Sequence, residues 1–130
     1  MANPNIVSVS TIYGESIGEA LTTTVTQDIM TVSANKLIKI NFISVANTDP
    51  TVATAVTLSV VKTNFTSNGI LSSEDNAGTF NLCSTMNLPA DDTLIVVDRP
   101  IYLQETDILE GGANPATAHI FISYEVLDDA

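Results

Sequence analysis

The stretch TAHIFISYEV, residues 117–126, places Ala118, Ile120, Ile122, Tyr124 and Val126 at every second position, with His119, Phe121, Ser123 and Glu125 between them. Side chains alternate sides along a strand but recur every 3.6 residues along a helix, so a period of two predicts a half-buried β-strand. TAVTLSVVK (54–62) repeats the pattern, Val56, Leu58 and Val60 alternating with Thr57 and Ser59. In KLIKINFISVAN (36–47), Ile38, Ile40 and Phe42 share one face while Leu37, Ile43 and Val45 make the other apolar too. Apolar residues on both faces predict a central strand, covered either by a second sheet or by a neighbouring subunit.

Working outward, further strands are expected at about 5–12, 20–26, 28–33, 79–87, 94–98, 101–104 and 107–111. Breakers fall between them. Gly14 and Gly18 bracket a polar turn, ANTDP (46–50) is a loop, the Asn/Ser/Gly-rich stretch 63–78 is the longest irregular segment, and GGANP (111–115) makes the last turn. No run carries the caps and period of a helix. Many short strands separated by turn signals predict an all-β, single-domain antiparallel β-sandwich, jelly-roll-like, over residues 1–130.

The composition agrees. A 130-residue chain, 45% apolar, is long enough to bury roughly two thirds of its unfolded surface. Its β-branched residues suit a pleated surface. With four basic residues and a net charge of −11, it lacks the cationic cluster that phosphate backbones or anionic membranes require, so neither nucleic acid nor membrane is an expected partner. No stretch has the apolar length of a membrane span, and the opening MANPNIV lacks signal-peptide features, which predicts synthesis in a cytoplasm.

Candidate chemistry is sparse. LPADDTLIVVDRPIYLQETDIL (88–109) holds Asp91, Asp92, Asp98, Glu105 and Asp107. On the strand map these fall in successive turns, where Asp bonds its own backbone. A Ca²⁺ cage drawn from loops is the metal site such acids would allow, although the EF-hand spacing is absent. His119 is the single histidine and Cys83 the single cysteine. His119 lies opposite the apolar face of its strand, and there is no G-x-S-x-G elbow to give it a nucleophile. Cys83 is expected on the more polar face of 79–87, without the basic partner a catalytic thiolate needs. The NFT sequon at Asn64 lacks a secretory context. No catalytic, metal or cofactor-binding residues are assigned, and no cofactor is expected.

Three stretches together resemble small virion structural proteins of tailed bacteriophages: MANPNIVSVSTIYG (1–14), KLIKINFISVANTD (36–49), and LPADDTLIVVDRPIYLQETDIL closing on ISYEVLDDA (122–130). The turn QETD lacks a glycine found in that pattern, and 63–78 departs from it. The resemblance implies an all-β, oligomeric, non-enzymatic part of a virion, made in the host cytoplasm. The leading expectation is a capsid decoration or cement protein, trimeric, whose partners are the major capsid protein or other virion proteins. A neck, tail or fibre-base component is the alternative in that class. A carbohydrate-binding module is the more distant one, weakened by the absence of Trp. Leu37, Ile43, Val45, Val61 and Phe121, on strand faces opposite the main core pattern, are the expected subunit or capsid contacts.

Overall fold

The computed structural model describes residues 9–63 and 77–128. Nine strands follow in chain order: β1 (Thr11–Ala20), β2 (Asp28–Thr31), β3 (Lys36–Asn47), β4 (Thr54–Lys62), β5 (Gly78–Leu88), β6 (Thr93–Val97), β7 (Ile101–Leu103), β8 (Ile108–Asn114) and β9 (Ala118–Asp128). They make two antiparallel sheets packed face to face, a β-sandwich. One sheet runs β1-β9-β3-β6, with β7 also on β3, and the other runs β2-β8-β4-β5.

β9, the strand of the opening stretch, lies between β1 and β3. Ala118, Ile120 and Ile122 are buried in the core, and Tyr124 and Val126 pack at its margin. From the facing sheet come Val56, Leu58 and Val60 of β4 and Leu109 and Ala113 of β8. The aliphatic core predicted from these alternations is present.

Parity along β3 is broken. Ile40 stands opposite Tyr124 but Phe42 stands opposite Ser123, so Asn41 is a bulge. A bulge inserts one residue and switches the face that follows it. Ile38 and Ile40 therefore point inward before Asn41, and Ile43 and Val45 point inward after it. Phe42, expected on the core face, moves to the outer one. β6 and β7 pair in tandem with the same edge of β3 and are separated by the Asp98-Arg99-Pro100 corner.

Other expectations shift as well. Of the strand expected at 5–12, residues 5–8 lie outside the described residues, as do Asn64 and most of the 63–78 loop. Gly14 and Gly18 are not a turn. They sit within β1, paired with Glu125 and Phe121 of β9, and the Phe121 ring edge lies 3.7 Å from where a Cβ on Gly18 would stand. Residues 21–27 are not a strand but an edge-capping loop. The amides of Gly111 and Ala113 donate to the carbonyls of Gln27 and Thr22 there.

The ANTDP loop is held by Asn47, which is buried. Its amide nitrogen donates to the carbonyls of Val52 (2.9 Å), Pro89 (3.2 Å) and Leu88 (3.3 Å). Its oxygen accepts from Thr117 Oγ1 (2.8 Å) and the Asp49 amide (3.1 Å). The Thr51 amide, then that of Val52, hold the Asp49 carboxyl below the usual carboxylate range. Asn47→Ala removes five hydrogen bonds at once, the one to Leu88 buried and the others part-buried. It is expected to lower the unfolding free energy by about 2 kcal/mol, read from a urea titration; an unchanged midpoint would mean that water replaces the side chain.

Candidate interaction surfaces

The five acids of 88–109 take separate positions. Asp91 and Asp92 are exposed in the turn after β5, and Asp91 adopts φ 57°, which Asp tolerates better than most residues. Asp98 is exposed at the β6–β7 corner. Glu105 accepts the Asn35 amide at 2.7 Å. Asp107 departs from the expectation of a turn acid in solvent. Its side chain is 2% exposed and paired with Lys62 at 2.7 Å. Among the described residues, no three His, Cys, Asp or Glu side chains converge in a group that could hold a metal ion.

His119 is exposed on the outer face of its strand, as its parity predicts. Cys83 does not follow its parity. The register of β5 on β4 slips twice, so Phe80, Cys83 and Met86 stand opposite Val60, Leu58 and Val56. Cys83 is thereby turned toward the core, and burial pushes its thiol above the ordinary range. A raised thiol pKa makes a poor nucleophile at neutral pH.

Of the five expected contact residues, three are corrected. Ile43 and Val45 have no accessible surface and belong to the core, because the Asn41 bulge turned them inward. Leu37 does lie on the outer face, in register with Leu127, but both are buried. Val61 is half-buried on the outside of β4, and Phe121 is half-exposed. Sequence parity located the outward face of β9 and failed on β3, where it assumed an unbroken strand.

Two surfaces combine apolar character with exposure. The first is the open edge where β5 meets β6. β5 is the end strand of its sheet. Residues 77–88 include no charged side chain, while Phe80 (51% exposed), Leu82 and Met86 remain accessible. Leu82, Val96, Val97, Asp98, Arg99 and Ile101 line a cleft of about 270 Å³ between the two sheet edges. Natural edge strands are commonly protected by charge, Pro or bulges. β5 has the bulges but neither Pro nor charge.

The second surface is the outside of the five-stranded sheet. Cross-strand partners share a face, so Gly18, Phe121, Ser44 and Ile95 lie side by side across β1, β9, β3 and β6. Ile95 is 56% exposed, and a hollow of about 440 Å³ lies against Gly18, Ala20, His119 and Phe121. Small residues on β1 make this face flat; the Phe121 and Ser123 rows bear no charge, and the Lys39–Glu125 pair lies in the next row of the same face. The signal for both surfaces was present as uncharged alternation, but edge position and strand order are not encoded in periodicity.

Comparison with known proteins finds no matching family model, no matching curated protein and no matching solved structure.

Proposed function

We propose that the protein is a non-enzymatic virion structural protein of the capsid decoration or cement type, which self-associates as a trimer and binds an assembled shell. The observation that carries this reading is the uncharged apolar edge at β5. Copies of a chain with net charge −11 repel one another over most of their surface. Residues 77–88 offer a long stretch where they meet without like-charge contact, and an edge strand supplies main-chain donors and acceptors for pairing. The flat outer face around Phe121 and Ile95 then remains for the shell.

We read the strand order as a jelly roll, with β7 as an added short strand. This winding recurs in capsid and lectin domains, and that analogy of architecture supports the virion reading. A decoration protein would act by mass action, since a ligand that binds only the assembled shell shifts the equilibrium toward it.

Light scattering on the purified chain is expected to give three times the 13.7 kDa protomer mass. Leu82→Lys, placed in the uncharged edge at an accessible position, is expected to give monomers with little change in melting temperature. Quantitative mass spectrometry of purified particles should show a copy number comparable to the major shell protein. A far smaller number points to a neck, tail or fibre-base position. A monodisperse monomer with no affinity for capsids would sink the proposal.

A further inference from the structure

On the side of the sandwich away from β5, strand β1 overhangs β2 and the two sheets part around a cleft of about 320 Å³. Met30, Ile38 and Val126 form its apolar floor. Tyr13 stands at its lip with 48% of its surface exposed. Two charged groups line the same cleft and are already positioned. The Tyr124 hydroxyl donates to Glu15 Oε1 at 2.8 Å, and Lys36 Nζ is paired with Asp128 Oδ2 at 2.7 Å.

We propose that this cleft binds a neutral saccharide, one ring stacked on Tyr13 with its hydroxyls bonded to Glu15 and Lys36. A pyranose alternates C–H and O–H groups around one ring. It is recognised by an aromatic face for the C–H side, acceptors and donors for the hydroxyls, and an apolar floor. An ionised carboxylate offers about four lone-pair sites, and Tyr124 occupies one, leaving acceptors for sugar hydroxyls. An ammonium carries three N–H donors, of which Asp128 takes one.

Other ligand classes fit less well. An anion would meet Glu15 in the cleft and an ammonium already paired with Asp128, within a strongly acidic chain. A cation would meet Lys36. A purely apolar ligand would desolvate both charges without replacing their hydrogen bonds. The phenol of Tyr124, whose pKa burial and then the hydrogen bond to Glu15 push up to about 12, stays protonated and keeps donating to Glu15 at physiological pH. Side chains ordered before binding lose less freedom on binding.

The cleft lies across the sandwich from the β5 edge, so this inference and the assembly reading fail separately. The test is saturation-transfer NMR on the full chain with glucose, galactose, mannose, N-acetylglucosamine, cellobiose and chitobiose. At least one sugar is expected to receive saturation, strongest on its ring C–H protons, with a Kd on the order of 1 mM. Tyr13→Ala, at an exposed position, is expected to weaken binding roughly tenfold with an unchanged melting curve, and Glu15→Gln to weaken it as well. Leu82→Lys should bind as the parent does. Silence from the whole panel at about ten times that concentration, or parental affinity in Tyr13→Ala, would overturn the proposal.

Discussion

Lys62→Met is expected to lower the unfolding free energy by about 3–5 kcal/mol, the range found when one partner of a buried ion pair is removed. The Asp107 carboxylate is 2% exposed, and its Oδ2 is met by Lys62 Nζ at 2.7 Å and by the Gln104 amide at 2.8 Å. Lys62 Nζ also donates to Gln104 Oε1 at 2.9 Å. The same Asp107 ties the turn to the end of β2, because its carbonyl accepts the Val32 amide at 3.0 Å. Methionine keeps the length of the lysine stem but leaves a buried negative charge with one amide donor. Adding Asp107→Asn to Lys62→Met removes that charge and keeps an oxygen for Gln104, so the double variant is expected to recover part of the loss. Urea unfolding followed by circular dichroism reads both. A change below about 1 kcal/mol in Lys62→Met would place the pair among solvent-screened surface bridges.

Gly112→Ala should be comparably damaging, by about 3 kcal/mol or more, as expected when added volume meets backbone that has no room to yield. A Cβ at Gly112 would stand 2.6 Å from the carbonyl oxygens of both Thr22 and Thr24. Relief requires the 21–27 loop to move off β8, which breaks the hydrogen bonds from Gly111 to Gln27 and from Ala113 to Thr22. Gly111→Ala is expected to behave alike on the other face, where its Cβ would meet Leu58 Cδ2 at 2.4 Å and the Thr57 carbonyl at 2.5 Å. Gly14→Ala serves as the control, since nothing lies within 4 Å of its added carbon. If Gly112→Ala melts with Gly14→Ala, the close packing of the loop on β8 is wrong.

These glycines mark one boundary of what could be read from the chain. GGANP carries the composition of a turn, yet Gly111 and Gly112 run through the interior of β8. The reason is tertiary: the neighbouring strand and the 21–27 loop approach too closely for any side chain. Gly14 and Gly18 misled in the same direction for a different reason. β1 is an edge strand lying on β9, and its outer face tolerates residues without side chains.

The candidate surfaces divide similarly. Phe121 was legible because β9 is unbroken, so its parity holds from Ala118 to Val126. Phe80, Leu82 and Met86 were legible as apolar but not as exposed, because only the strand order places β5 at the end of its sheet, paired among the described residues with β4 alone. The saccharide cleft depends on Tyr13 and Tyr124, more than a hundred residues apart, meeting across β1 and β9.

By itself the sequence determined the class of the fold and its aliphatic core. Those follow from period-two alternation and β-branched composition, which act locally or over the whole chain and need no knowledge of neighbours. Only the tertiary structure decided which strands stand at edges, which acids are buried and which face Ile43 and Val45 take. Each of those depends on long-range pairing, and a single bulge at Asn41 is enough to exchange the inside and outside of everything that follows it in the strand.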